Sequence, residues 1–312
     1  MTIIVTGAAG SIGSEVCRQL IDMGEAVVGV DIAETPLFWL ENELGTDRFV
    51  PVLASVTSAK AMNNLAWRFN PAVFIHAAAL KHVWMTERNI HEAVAVNIGG
   101  TINVAAAASR ARARMVLVST DKAVHPTTIM GATKRVAEKW VGCIADARVI
   151  RLVNIWDSSG SLVPVIREQI AAGGPVTITD LRMERYFMTA QEAAAYIIQQ
   201  TGGPSKPVSV LMVPLEVEPR SVHAIIREQL RLAGVPDMPV KVIGPKPGEK
   251  LVEELITPEE RSAMANDEGM GGQGIFWFGR VKDFVRTCVG RSLGGNDEML
   301  MARLFGLAET IP

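Results

Sequence analysis

Ile3-Ile4-Val5-Thr6 is a strand-type run that passes without a spacer into Gly7-Ala8-Ala9-Gly10-Ser11-Ile12-Gly13, and a helical pattern follows over Ser11–Met23. Glycines in such a turn permit a sharp strand-to-helix reversal and let the backbone approach a pyrophosphate closely. The helix N-terminus adds unpaired N–H groups and the positive end of its dipole. The turn therefore predicts a parallel strand followed by a crossover helix, with a dinucleotide held by Gly7, Gly10, Ser11, Ile12 and Gly13.

The rest of the N-terminal half repeats the rhythm. Strand patterns at Ala26–Val30, Phe49–Leu53, Val73–Ile75, Met115–Ser119 and Arg148–Leu152 alternate with helix patterns at Ala59–Phe69, Ala93–Ala108 and Gly131–Ala145. Continuously apolar strands separated by helices indicate a parallel sheet covered on both faces. The expected fold class is α/β, a doubly wound parallel sheet of Rossmann type, with ligands at the carboxyl ends of the strands. Beyond residue 153 prolines and glycines become frequent, as in Gly173-Gly174-Pro175 and Pro245-Lys246-Pro247-Gly248, with a strand pattern at Val208–Val213 and a helix pattern at Val222–Leu232. A smaller C-terminal substrate lobe is expected there. The predicted division is a nucleotide-binding domain over 1–153 with parts of 181–215, a substrate lobe over 154–180 and 216–290, and a C-terminal helix over 291–312. Within these, a Gly-rich loop is expected at Asn266–Gly274 and the last helix at Asp297–Ala308.

The second strand ends in Gly29-Val30-Asp31. A carboxylate at that point accepts hydrogen bonds from the adenosine ribose and repels a 2′-phosphate, which favours NAD over NADP as the cofactor. Composition narrows the class further. The net charge is -2 with no long basic run, so no nucleic-acid surface is expected. Three scattered cysteines without a CxxC fit a reducing cytoplasm. No apolar stretch reaches the roughly 20 residues that span a bilayer, so no membrane insertion is expected and the predicted location is cytoplasmic. Five histidines show neither HxH nor HExxH spacing, and no metal is predicted.

The GxxGxxG spacing resembles the short-chain dehydrogenase/reductase superfamily, and His76-Ala77-Ala78-Ala79 resembles its small-residue turn beside the cofactor, with Ala77 and Ala78 as contacts. That superfamily pairs a Ser/Thr at the end of the fifth strand with Tyr-x-x-x-Lys on the next helix. Here Ser119-Thr120-Asp121-Lys122 ends the strand and Met130-Gly131-Ala132-Thr133-Lys134 opens the helix, with Met130 at the tyrosine position. These runs, with Leu80-Lys81-His82-Val83, Ser158-Ser159-Gly160-Ser161, Arg185-Tyr186-Phe187-Met188-Thr189 and Pro247-Gly248-Glu249-Lys250, closely resemble the UDP-N-acetylglucosamine 4,6-dehydratases of bacterial polysaccharide and protein-glycan synthesis. The resemblance covers about the first 255 residues and extends to a subset of that family with Met for Tyr.

The resemblance implies a redox-neutral dehydration: oxidation at C4, loss of the C5 proton and the C6 hydroxyl, and return of the hydride to C6. It assigns Asp121 to the C6 oxygen, Lys122 to the C5 proton, Thr120 to the C4 oxygen and Lys134 to the nicotinamide ribose. A lysine base needs a pKa below its ordinary value of about 10.4, through burial or neighbouring positive charge. A thioether accepts no proton, so Asp121 or a water chain must take the C4 hydroxyl proton. Asn154 and Arg185 are implied for the diphosphate, Glu249 for the uridine ribose and Lys81 for the sugar of a UDP-sugar substrate. Two departures, Trp156-Asp157 after Asn154 and Trp84 where proline is usual, add bulk and a carboxylate near the expected substrate. A homo-oligomer, dimer or larger, is also expected. The competing readings are a nucleotide-sugar 4-epimerase, which needs no elimination pair, and a non-catalytic NAD-binding regulator.

Overall fold

The computed structural model describes residues 1–144, 146–203, 210–214, 216–265 and 276–277. In the first half, β1 (Thr2–Thr6), α1 (Ser11–Asp22), β2 (Ala26–Asp31), α2 (Glu34–Leu44), β3 (Phe49–Leu53), α3 (Ala59–Phe69) and β4 (Val73–His76) follow one another. Next come α4 (Val83–Arg88), α5 (Ile90–Val94), a π-helical turn (Ala95–Gly100), α6 (Thr101–Ala111), β5 (Arg114–Thr120), a 3-10 turn (Asp121–Ala123), α7 (Ile129–Val141) and β6 (Ala147–Leu152). The second half holds β7 (Asn154–Ile155), α8 (Leu162–Ala171), β8 (Val176–Ile178), β9 (Glu184–Met188), α9 (Ala190–Gln199), β10 (Val210–Met212), β11 (Pro219–Ser221), α10 (Val222–Leu232), β12 (Val240–Val242), α11 (Pro258–Ala265) and β13 (Phe276–Trp277).

Seven parallel strands form the central sheet in the order β3-β2-β1-β4-β5-β6-β10, and β13 adds an antiparallel edge outside β10. The central strands are mostly apolar because both faces are covered. Ile3 and Val5 point into one core with Val27, Val73 and Ile75, while Ile4 points into the opposite core with Val28, Val30 and Phe74. The doubly wound α/β class read from the sequence is the observed one. Chain direction across the sheet reverses between β1 and β4, which opens a crevice at their carboxyl ends. No helix among the described residues is long and apolar enough to cross a membrane.

The second half contributes a separate small core, in which Val163 and Ile166 of α8 meet Val222, Ile225, Ile226 and Leu230 around α10, together with Val176 and Ile178 of β8. Two small sheets frame it, β11-β9-β7 and β12-β8.

Several local details depart from the sequence expectation, which named no helix at α4, α8, α9 or α11. Helix α2 has no counterpart there, because it buries only Leu37 and Leu40 while Phe38 and Trp39 face solvent, so its apolar period is blurred. The helix expected over Ala93–Ala108 is interrupted by the π turn at Ala95–Gly100, and such bulges commonly re-aim a side chain at a functional site. The helix expected over Gly131–Ala145 starts at Ile129, where the Thr128 hydroxyl caps the Gly131 N–H, and ends at Val141. The segments Asn266–Gly274 and Asp297–Ala308 lie outside the described residues.

Candidate active site

The crevice between β1 and β4 is shaped by absent side chains. Gly7 adopts φ +72, and a Cβ on it would lie 2.6 Å from the Ala78 nitrogen and 2.8 Å from the Ala77 carbonyl carbon. A Cβ on Gly13 would lie 2.0 Å from the Gly7 oxygen. Any other residue at Gly7 drives the glycine turn away from the β4 turn, and any other at Gly13 drives α1 away from the glycine turn. Gly10 caps α1 without a side chain, so the first-turn N–H groups near Ser11 and Ile12 are left to an outside acceptor, as an anion-binding turn requires. Asp31 at the end of β2 accepts from the amides of Ala9 (2.9 Å), Ile32 (2.7 Å) and Ala33 (2.9 Å). Its carboxylate therefore stitches the glycine turn to the β2–α2 turn, and a carboxylate's four or so acceptor sites leave room for a ribose hydroxyl. The turn and its rim fit a dinucleotide.

A buried hydrogen-bond chain ties this cradle to α7. His76 is fully enclosed, and burial together with the Lys134 charge pulls its pKa down to about 3, so the ring is neutral. The Thr101 hydroxyl donates to the Asn97 carbonyl (2.7 Å) and must accept from His76 Nε2 (3.1 Å); His76 Nδ1 then accepts from the Thr6 hydroxyl (2.7 Å). From the π turn, Asn97 bonds both backbone groups of Leu80 and donates to the Thr133 hydroxyl (3.0 Å). The helical irregularity thus places one amide between the β4 turn and the start of α7.

The end of β5 carries the residues that the sequence reading assigned to catalysis. Asp121 is completely buried. Its Oδ1 accepts from the Thr120 hydroxyl (2.8 Å) and from Lys122 Nζ (3.0 Å), while Oδ2 has no partner among the described residues. Lys122 Nζ also donates to Asn154 Oδ1 (3.2 Å), and Asn154 in turn donates to the Tyr186 carbonyl (2.9 Å). Thr120, Asp121, Lys122 and Asn154 therefore converge, although helix α7 and strand β6 separate Asn154 from the other three in sequence. Met130 is buried in the first turn of α7. Lys134, one turn on, donates to the Val118 carbonyl (2.6 Å) beneath the strand end, and burial, partly opposed by Glu138, lowers its pKa to about 8. Gly131 lets α7 approach, since a Cβ there would lie 2.3 Å from the Lys122 carbonyl oxygen.

The remaining predicted substrate residues are differently engaged. Lys81 Nζ donates to the Ser159 carbonyl (2.8 Å), and burial lowers its pKa. The Arg185 guanidinium donates to the carbonyls of Glu184, Lys250 and Leu251. Glu249 accepts from the Lys246 amide (3.1 Å) and stands 3.9 Å from Arg185. Both thus hold the 246–251 loop to β9. Trp156 packs edge-on against Phe187 with ring centroids 5.2 Å apart and lies under the Arg220 guanidinium, against the small second core, while Asp157 pairs with Arg167 at 2.8 Å.

Sequence reasoning missed Glu253. Its buried carboxyl lies 3.9 Å from Lys122 Nζ, and burial raises its pKa. Nothing in Leu251-Val252-Glu253-Glu254-Leu255 distinguishes it from the adjacent exposed Glu254; only the path of the chain does.

A family model described as polysaccharide biosynthesis protein matches residues 3–270. The capsular polysaccharide biosynthesis protein CapD of Staphylococcus aureus is 37% identical over 274 residues, which cover 83% of this chain and 45% of that protein. The chain thus spans about half the length of that relative. The UDP-glucose 4-epimerase of Rickettsia canadensis is 30% identical over 290 residues, covering 86% of this chain and 81% of that one. Among solved structures, Pen from Bacillus thuringiensis superposes with a TM-score of 0.78 at 26% identity, covering 84% of this chain and 83% of its own. The dTDP-glucose 4,6-dehydratase DesIV of Streptomyces venezuelae, solved with NAD, shares the fold at a TM-score of 0.71 and 19% identity, covering 84% of this chain and 90% of that one.

Proposed function

The chain belongs to the polysaccharide biosynthesis protein family, and on that premise we propose that it is an NAD-dependent 4,6-dehydratase of a UDP-sugar, with UDP-N-acetylglucosamine as substrate. One observation carries the reading: a fully buried Asp121 and an adjacent Lys122 stand bonded to one another at the end of β5, on the carboxyl edge of the sheet where ligands of doubly wound folds bind. Elimination across C5–C6 needs an acid and a base side by side, and interconversion at C4 alone does not.

The glycine turn, Ala77, Ala78 and Asp31 would hold NAD, with Lys134 at its nicotinamide ribose. Bound there, NAD supplies reversible hydride exchange, with C4 of the sugar as donor and C6 as final acceptor. Thr120 bonds the C4 hydroxyl and passes its proton to Asp121, to which its own hydroxyl already donates. This route replaces the tyrosine that Met130 cannot imitate. The protonated Asp121 then delivers the same proton to the departing C6 oxygen, while Lys122 removes the C5 proton. Once C6 has received the hydride, the Lys122 ammonium returns a solvent-exchangeable proton to C5, so that each proton has a donor and an acceptor in the chain. Lys81 and Asn154 orient the sugar and diphosphate. Arg185 and Glu249, engaged with the 246–251 loop, shape the uridine end through that loop.

Epimerisation at C4 is the second reading, favoured by the Rickettsia canadensis relative. Incubation with UDP-N-acetylglucosamine in heavy water, followed by mass spectrometry and proton NMR, separates the two. Loss of one water with deuterium at C5 and a new C6 methyl is the expected result. An unchanged mass with an inverted C4 establishes the epimerase instead.

A further inference from the structure

The segment after the 246–251 loop is drawn across the end of β5 like a strap. Gly248, at φ +76, packs where a Cβ would lie 2.5 Å from the Thr127 carbonyl oxygen, and the Thr127 hydroxyl donates to the Gly248 carbonyl at 2.6 Å. Lys250 Nζ donates to the Val124 carbonyl at 2.7 Å, immediately after the Asp121–Ala123 turn. The Leu251 carbonyl accepts from the Glu184 amide at 3.0 Å and from Arg185 at 2.8 Å. Two residues beyond these anchors, the chain delivers the Glu253 carboxyl into a buried position 3.9 Å from Lys122 Nζ. Among the described residues Lys122 is the one cation within 4 Å of it.

An isolated buried carboxylate is costly unless it is paired or neutral. A carboxyl brought by a pinned strap to within one side-chain rotation of an amine is therefore placed to exchange a proton with it. We propose that Glu253 is the positioning residue of the elimination step: it takes a proton from the Lys122 ammonium, so that Lys122 stands as a neutral amine facing C5. One N–H bond breaks and one O–H bond forms; the charged pair becomes a neutral pair with no change in total charge. After Lys122 has taken the C5 proton, its new ammonium is stabilised by Asp121, which has become a carboxylate again on protonating the C6 oxygen. The step needs a closure of about 1 Å from the observed separation to reach hydrogen-bond distance. Burial and the nearby Asp121 carboxylate raise the pKa of Glu253, while Lys122, Arg185 and Lys250 oppose them. Tyr186, Glu218, Glu254 and Arg261 line the adjoining cleft.

The proposal rests on the dehydratase reading, and its test separates the two. Wild type and Glu253→Gln are compared for kcat and KM across pH 6.5–9.5, and for the pH dependence of Lys122 acylation by a competitive amine-labelling reagent read by mass spectrometry. Glu254→Gln, which alters the exposed neighbour, is the control. With Glu253 present the proton moves internally and kcat is level. In Glu253→Gln, Lys122 must release its proton to solvent, so kcat falls at least tenfold at pH 7 and climbs with pH, with KM within twofold. The Lys122 labelling midpoint also moves to higher pH, because the amine has lost the carboxyl that takes up its proton. A Glu253→Gln variant that loses activity equally at every pH, or whose Lys122 labelling is unmoved, overturns the role of Glu253 alone. A wild-type protein that dehydrates no UDP-sugar overturns the dehydratase reading itself, and this role with it.

Discussion

Lys134 illustrates how a buried cation can weigh on the fold that carries it. Its ammonium is buried, bonded to the Val118 carbonyl, and titrates at about 8 in place of 10.5. That difference corresponds to about 3 kcal/mol of destabilisation at neutral pH, carried by the charged form. Lys134→Met keeps most of the volume and removes the charge, but it leaves the Val118 carbonyl without its donor, at a cost of about 1–2 kcal/mol. The net expectation is a variant more stable than wild type by about 1–2 kcal/mol at pH 7 when both are stripped of nucleotide. The sign of the pH dependence follows from the direction of the shift. Between about 8 and 10.5 the unfolded chain binds a proton that the folded chain has released, so wild-type stability rises with pH across that window and the variant's does not. Urea denaturation at pH 7, 8.5 and 10 should show the advantage of Lys134→Met shrinking and then reversing, while its affinity for NAD falls at every pH. A variant less stable than wild type at pH 7, or a difference constant from pH 7 to 10, refutes this reasoning.

Three further outcomes are expected. Gly131→Ala places a Cβ 2.3 Å from the Lys122 carbonyl oxygen, so α7 must back away from the reactive turn; steady-state kinetics should show kcat down by about a hundredfold with far-UV circular dichroism unchanged. Asp121→Asn keeps an acceptor for Thr120 but no transferable proton, and dehydration measured by product NMR should fall by about 10³-fold, with nucleotide-sugar affinity by calorimetry near wild type. The Arg151 guanidinium joins Glu138 (2.8 Å) and Glu260 (2.7 Å) at the back of the site; arginine contacts hold Glu138 below its ordinary value of 4.5 and Glu260 at about 2. Stability from this pair is complete above about pH 4.5 and is lost as pH falls toward 2. An acid-unfolding curve should show that limb, and Arg151→Met should cost about 3–5 kcal/mol at pH 7 by leaving Glu138 without its main partner.

Features carried by near neighbours are legible in the amino-acid sequence. The glycine turn, the strand carboxylate Asp31 and the pairing of Thr120-Asp121-Lys122 with a downstream Lys134 are each spelled within one strand–turn–helix unit, where residue type and spacing alone determine what can form. The same holds for the two-faced apolar strands, because a strand buried on both sides has no polar alternation to obscure it. Strands of two or three residues such as β7 and β11 carry too little pattern to be read. Helix α2, with two buried positions, carries too little contrast.

Convergence from distant segments leaves no local mark. Asn154 reaches Lys122 because β7 continues past β6 at the edge of the reactive turn, and Asn97 reaches Thr133 because a π turn redirects it. Trp156 and Asp157, which in sequence stand beside the proposed substrate residue Asn154, turn instead against the second core and toward Arg167, since an indole gains more from packing on Phe187 than from water. Glu253 owes its place to a strap anchored on Val124, Thr127 and Arg185, all far from it along the chain. Spacing and residue type write the chemistry of a single turn into the chain. Which distant carboxyl faces which amine depends on where packing and hydrogen bonds bring separate segments together, and no local pattern encodes that distance.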